Sequence, residues 1–374
     1  MKNFLEKSVA SLREKYEQAP VEKNQYTDVA GLELEKKSVS TGSAPKFVCS
    51  DGVQALPLGK AAEIFPSQVR SALEKIVSQP VSPEHKFFAR AKIECANPFF
   101  VHVPKQAEGK IKIELPESKQ GAFPAAFTIF WLENGARAKI LESQTSAEGL
   151  YSTEIFCSPG SNAEFVSIND SAITTKESVL LSQKRFFVQE NARAEAYSAF
   201  LGGGLVKAET EMVLEGEGSY SRDAQAAFPS QSQHFDLSST AKHVAPSTKA
   251  HSIVKSALMD EGREVLWGKI FISKGAKLTD SFLSQNAVML NSGARADAMP
   301  ILEIEENDVR ATHASSISHV DENALFYLNS RGIDSTDAKK TIAASLLESA
   351  FEKTTLQEAK IALEEKVELK WPVR

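Results

Sequence analysis

Cysteine is scarce in this 374-residue chain. There are three, Cys49, Cys95 and Cys157, far apart and without a Cys-x-x-Cys pair. Bridging two would strand the third, so they form no disulfide framework, and they form no self-sufficient zinc or iron–sulfur site. Such usage suits a reducing compartment. Long apolar runs are missing as well: the most apolar block, AFPAAFTIFWL around 122–132, contains proline and is too short to span a bilayer. The N-terminal MKNFLEKSVASLREKYEQ alternates charged and apolar residues, with no apolar h-region and no small-residue cleavage site. No secretory signal is read there, and a cytoplasmic protein is expected. Positive charge is not in excess either. Lys and Arg number 43 against 49 Asp and Glu, a net charge of −6. That balance speaks against a broad nucleic-acid surface, although local basic patches remain open.

Catalytic signatures are equally sparse. Gly202-Gly-Gly204 follows a strand-like run, but no Gly-Lys-Ser/Thr comes after it, so a tight corner is expected rather than a phosphate cradle. Neither a Gly-x-Ser-x-Gly elbow nor a His-Glu-x-x-His pair occurs. Glu303, Glu305, Glu306 and Asp308 read as a solvated edge that discourages strand addition, with Glu303 and Glu305 on one face of a strand. Of the seven histidines, His234 and His243 flank Asp236 at a spacing that matches no metal-ligand motif, so structural histidines are expected. Taken alone, His313 also reads as structural.

What the chain does have is three regions of different pattern. Residues 1–97 are mixed and helix-leaning. Phe4, Leu5, Val9, Leu12 and Tyr16 share one helical face, and a second helix is predicted over LGKAAEIFPSQVRSALEKIVSQ with a break near Pro66. Between them PKFVCSDGVQALPL predicts a short hairpin turning at Asp51-Gly52. Residues 98–319 consist of short alternating runs such as KIKIELP, KRFFVQ and KIFISKGAKL, punctuated by Gly, Asn, Asp and Ser. Residues 320–374 turn helical. Asp321 is an acidic cap, Gly332 a C-cap, and two amphipathic helices follow, the first with a stripe of Ile342, Leu346, Leu347, Ala350 and Phe351.

A weak repeat organises the middle region. Gly135-Ala-Arg-Ala-Lys139, Asn191-Ala-Arg-Ala-Glu195, Gly275-Ala-Lys-Leu278 and Gly293-Ala-Arg-Ala-Asp297 share a turn residue, a small residue and an outward charge, and Asn162-Ala-Glu-Phe165 is a looser copy. Stacked coils explain it: a corner residue, an alanine packed where rungs crowd, and a charge facing water. A β-sandwich gives no reason for the same corner to return. The fold class expected is mostly β with helical ends, a right-handed parallel β-helix (β-solenoid) core flanked by N-terminal and C-terminal helical regions.

Towards the end of the solenoid, ILEIEENDVRATHASSISHVDENALFYLNSRGID resembles the SufB/SufD family of iron–sulfur cluster assembly proteins. The likeness rests on Leu302-Glu303-Ile304, His313-Ala314-Ser315 and Leu325-Phe-Tyr-Leu-Asn-Ser-Arg-Gly-Ile333. Upstream, Phe235-Asp236, His243, Lys255, Trp267-Gly-Lys-Ile270, Thr279-Asp280, Gln285-Asn286 and Met289-Leu290 extend it. It covers roughly 130–374. SufB-type chains carry a cysteine after the Gln of the preceding strand and carboxylates on both sides of the histidine. Here those positions are Asn286, Thr312 and Ala314, which is the SufD pattern. A thiolate and carboxylates hold sulfide and ferrous iron, whereas a lone imidazole supplies one iron ligand. Ala314 departs from the glycine that SufD chains often have, and Cys157 matches no family position.

The resemblance implies a non-catalytic, SufD-like subunit of a SufBCD complex. It implies pairing with a SufB-like paralogue, a C-terminal region docking a SufC-like ATPase, and no nucleotide, nucleic acid or membrane bound by this chain. His313 is the expected iron- or cluster-related residue at the partner interface, towards a transient cluster or iron shared with the partner. Ala311, Thr312 and Ala314 are expected to leave room beside it, with His319 in a loop beyond. Leu346, Leu347 and Phe351 are the expected ATPase-docking residues, in part exposed. A SufB-like homodimeric scaffold is the alternative, and a β-helix enzyme acting on polysaccharide is a weaker one.

Overall fold

A computed structural model describes residues 2–20, 26–27, 38–40, 44–80, 86–117, 123–171 and 178–371; His85 lies outside them. The chain begins with α1 (Lys2–Gln18), β1 (Lys46–Cys49), β2 (Gln54–Pro57), α2 (Leu58–Ile64), α3 (Pro66–Ser78) and α4 (Lys86–Glu94). Strands follow without interruption by helix: β3 (Phe99–Val103), β4 (Glu108–Glu114), β5 (Ala125–Leu132), β6 (Arg137–Gln144), β7 (Gly149–Cys157), β8 (Asn162–Asn169), β9 (Val179–Val188) and β10 (Arg193–Phe200). Next come β11 (Leu205–Leu214), β12 (Tyr220–Ala227), β13 (His234–His243), β14 (Lys249–Leu258), β15 (Arg263–Ile272), β16 (Thr279–Met289), β17 (Arg295–Ile304) and β18 (Val309–His319). The chain closes with α5 (Glu322–Ser330), α6 (Ser335–Ala350) and α7 (Gln357–Glu368).

Successive strands alternate between two sheets. Even-numbered strands from β4 to β18 stack in parallel in one, and odd-numbered strands from β3 to β17 in the other. The result is a β-solenoid of about seven turns with helices at both ends. Its corners explain the repeated tetrapeptide. Gly135 and Asn191 take left-handed backbone conformations, φ 69° and 51°. Gly275 is left-handed as well, whereas Gly293 is not; behind all four corners Ala136, Ala192, Ala276 and Ala294 are buried, while Arg137, Arg193 and Arg295 open their strands facing water. The corners also bond to one another: Gly135 N–H donates to Pro159 O at 3.0 Å, and Asn191 N–H to Glu217 O at 2.9 Å. At the loosest copy the left-handed residue is Gly160 rather than Asn162.

The expected hairpin at Asp51-Gly52 does not form. The turn is present, with Gly52 at φ 83°, but β1 runs antiparallel to β4 and β2 antiparallel to β3. Each strand covers the open edge of a different sheet, satisfying backbone groups that a hairpin would leave exposed. Gly202-Gly-Gly204 is the tight corner expected of it: Gly203 has φ 90°, and a Cβ at Gly202 would fall 2.0 Å from Ser171 O.

The two sheets bury their outer faces differently. Helices α1 to α4 pack over the odd-numbered sheet, with Leu73, Phe88, Ile129, Phe156 and Phe187 in one apolar cluster. Pro66 opens α3 at the break expected there. Helices α6 and α7 pack over part of the even-numbered sheet, joining Leu347, Phe351 and Leu363 to Val166, Tyr197 and Phe228. The Asp321 carboxylate caps α5 by accepting from Asn323 N–H, and Gly332 (φ 85°) follows its last turn. No helix among the described residues is long and apolar enough to cross a membrane.

Candidate functional site

The solenoid is closed at its first rung by β1 and β2 and open at its last. Among the described residues, β17 and β18 each have a neighbour on one side only. In β16 the buried, inward residues include Ser281, Leu283, Gln285 and Ala287, and the parallel register sets Ala311, His313, Ser315 and Ile317 next to them. On the other sheet, Ala296, Ala298, Pro300, Leu302 and Ile304 continue the inward columns of β15. Positions that form core in earlier rungs are therefore at the surface here: Leu302, Ile304 and Ile317 are 37%, 43% and 40% exposed.

His313 sits in the middle of this open mouth, in register with buried Leu283. It is exposed, and among the described residues it has no hydrogen-bond or ion-pair partner. Beside it Ser315 Oγ donates to Gln285 Oε1 at 3.0 Å, and Gln285 Nε2 donates to Leu266 O at 3.0 Å, fixing the floor of the mouth. Alternation along β18 corrects part of the sequence reading. Ala311 shares the inward face with His313, but Thr312 and Ala314 point to the opposite face. Asn286 is also outward, in register with Ser316, and accepts from Lys255 Nζ at 2.8 Å and Ser284 Oγ at 3.1 Å. His319 is the last residue of β18 rather than part of a loop beyond it.

The expected docking stripe is also corrected. Leu347 and Phe351 are fully buried against the even-numbered sheet and Leu346 is half-buried, because α6 needs an apolar face to stay on the solenoid. The exposed apolar side chains of the C-terminal region are instead Phe326 and Tyr327 on α5, Ile361 on α7 and Leu369 just past it. No residue of α5 is buried.

The remaining candidates separate. His243 is fully buried and bonded on both nitrogens, to Thr248 Oγ1 at 2.7 Å and Ser281 Oγ at 3.1 Å; burial pulls its pKa down to about 4. His234 meets Thr27 Oγ1 at 3.1 Å on the outer face. The two histidines therefore do not converge with Asp236. Glu305 lies past the end of β17, and Glu306 accepts backbone N–H bonds from Gly275 and Asn307, which lower its pKa. Burial raises all three thiols, Cys157 to about 12. No group of three or more His, Cys, Asp or Glu side chains that could hold a metal occurs among the described residues.

Two polar features escaped the sequence reading. Beneath α4, Lys92, Glu154, Arg185 and Glu211 form a buried ionic cluster: Lys92 pairs with Glu154, and Arg185 lies 3.3 Å from Glu154 and 3.5 Å from Glu211. Burial pulls Lys92 down to about 8 against the pull of Glu154. A groove of about 500 Å³ adjoins it, lined among others by Arg185, Asp236, Trp267 and Lys242. Inside the solenoid, Lys184 meets Glu142 at 3.5 Å, and Asp223 and Glu264 are buried with pKa values raised to about 7 and about 8 by desolvation. The adjacent cations of KRFFVQ, on opposite faces of one strand, were the available signal.

The chain is similar in sequence to known proteins over much of its length. The family model described as SUF system FeS cluster assembly, SufBD core domain, matches residues 115–346. The iron-sulfur cluster assembly protein SufD of Escherichia coli is 32% identical over 164 residues, 43% of this chain and 39% of that protein. An iron-sulfur cluster assembly SufBD family protein of Staphylococcus epidermidis is 26% identical over 289 residues, 74% of this chain and 60% of the relative. One from Mycobacterium tuberculosis is 29% identical over 167 residues, 43% of this chain and 20% of the relative. The chain thus spans less than two thirds of the length of each.

Proposed function

We propose, from the premise that this chain belongs to the SufBD core family of the SUF iron–sulfur cluster assembly system, that it is a SufD-like, non-catalytic subunit of the assembly scaffold. One observation carries the reading: among the described residues the last rung of the solenoid is uncovered, exposes the core-type side chains Leu302, Ile304 and Ile317, and presents from its inward face an imidazole with no hydrogen-bond or ion-pair partner. Exposed strand edges and core-type side chains are what a stacked solenoid covers with a cap or a second subunit. The partner in this reading is a SufB-like paralogue whose own open end meets β17 and β18. Burial of Leu302, Ile304 and Ile317 supplies much of the association energy, since an interface core is apolar and its rim polar.

His313 then faces the partner. Its neutral imidazole can donate one nitrogen ligand to iron, while the partner provides the thiolate and carboxylates that this chain lacks at Asn286, Thr312 and Ala314. Iron or a nascent cluster is cargo in this scheme, not a resident cofactor. The C-terminal helices dock a SufC-like ATPase through their exposed side chains, Phe326, Tyr327, Ile361 and Leu369, while Leu347 and Phe351 hold α6 on the sheet. ATP hydrolysis belongs to that ATPase, in keeping with the absent phosphate loop.

Affinity purification of the tagged chain from its native cell tests the reading. Recovery of a cysteine-bearing SufB-like paralogue and an ATPase is expected, with the paralogue lost in Leu302→Asp/Ile317→Asp. Recovery of the chain alone, or pairing unaffected by that variant, contradicts it.

A further inference from the structure

The outer face of the even-numbered sheet is covered by α6 and α7 over only part of its width. Beside the covered part, aromatic and cationic side chains run across consecutive strands. Arg193 on β10 stacks its guanidinium 3.9 Å from the centre of the Tyr220 ring on β12. Tyr220 lies 5.9 Å from His251 on β14, and His251 meets Phe282 on β16 edge-on at 6.3 Å and 78°. In the same two rows the register adds Arg222, Lys249 and Arg310, the last on β18. Their inward neighbours Ser221, Ala250 and Ser281 are buried, so these side chains point outward.

The charges on this face are unbalanced. Arg193 pairs with Glu195. By contrast Arg222, Lys249 and Arg310 have no ion-pair partner among the described residues, although Asp280 stands in register with both Lys249 and Arg310. The local field registers independently at His251: burial first, then Arg222, Lys249 and Arg193, against Asp280, lower its pKa. Phe282 is 37% exposed, an apolar side chain within a cationic surface. From β12 to β18 the face spans about 14 Å.

We propose that this aromatic–cationic face is a docking site for an acidic segment of a protein partner; it lies on the outer face of the even-numbered sheet, opposite to the inward-facing mouth that holds His313, and only Arg310 reaches the last strand, β18. Arg and Tyr flanking an exposed aromatic ring are the side chains that dominate protein interfaces. An open sheet surface gives a small ligand little burial, whereas an extended segment laid across the strands covers the whole row. Single-stranded nucleic acid calls for a longer cationic track than this face offers. The span corresponds to a weak, transient contact rather than an obligate interface.

The test uses the full-length chain and a fluorescein-labelled hexaglutamate peptide, followed by anisotropy. Binding is expected near about 50 mM salt and is largely lost by about 300 mM, as screening requires. The variant Arg222→Glu/Lys249→Glu/Arg310→Glu is expected to weaken it about tenfold or more. A control reversing exposed Lys7, Lys60 and Lys105 leaves it unchanged, with both variants first shown to melt like the parent. In the parent, peptide addition raises the His251 titration midpoint measured by NMR. No binding by the parent, equal loss in the control, an unmoved His251, or tighter binding of an oligothymidylate than of the peptide overturns the proposal.

Discussion

Replacing Phe351 by alanine separates two roles for the C-terminal helices. Phe351 is 1% exposed, its ring centre lies 5.9 Å from that of Tyr197, and it shares a cluster with Leu347, Ala350 and Leu363. Removing a buried phenylalanine costs about 3–5 kcal/mol through lost transfer energy and the cavity left behind. A cleft of about 390 Å³ between α6 and α7 borders the side chain, so water and neighbouring groups can relax into the vacated space. The expected loss is therefore about 3 kcal/mol, in the lower part of that range. Urea unfolding measures it, and hydrogen exchange locates it: amides of α6 and α7 should lose protection before those of the solenoid strands. A variant as stable as the parent to within about 1 kcal/mol, with α6 and α7 still protected, would refute the view that Phe351 anchors the helices.

Other expectations concern buried charge and pH. Glu264 accepts from Ser256 Oγ at 2.9 Å, and burial holds its pKa at about 8. Because the folded value lies above the unfolded one, the stability it contributes is present at low pH and lost as pH rises through about 8. Glu264→Gln should therefore match the parent near pH 5 and exceed it near pH 9 by on the order of a few kcal/mol in urea unfolding; parallel curves would contradict the assignment. Lys184→Met leaves Glu142 buried without its partner and should cost about 3–5 kcal/mol, whereas the paired change Glu142→Leu/Lys184→Met should recover most of it. Equal losses in the single and double variants, read by thermal melting, would show that the pair is not coupled.

Local chemistry made much of the architecture legible. A left-handed corner followed by a small residue and a charge has one simple explanation in stacked coils, and Gly135, Asn191 and Gly275 behave accordingly. Asp321, Gly332 and Pro66 marked helix ends for equally local reasons. What failed was long-range. Nothing within PKFVCSDGVQALPL says that β1 and β2 pair with two different sheets. The apolar stripe of α6 could face either the solenoid or a partner, and only packing decides between them. Likewise, the residue types around His313 were readable, but the facing of Thr312 and Ala314 depends on where β18 starts its alternation. The buried partners of Lys92, on α4, and Lys184, on β9, lie on strands distant in sequence, beyond the reach of sequence spacing.

The most direct test of the scaffold role is iron and acid-labile sulfide content in the complex of this chain with its SufB-like paralogue and ATPase, assembled with parent or His313→Ala protein. The account predicts an intact complex of unchanged composition and a sharp fall in both iron and sulfide, with His319→Ala close to the parent. Cluster content equal to the parent in His313→Ala, or dissociation of the paralogue in that variant, would contradict it.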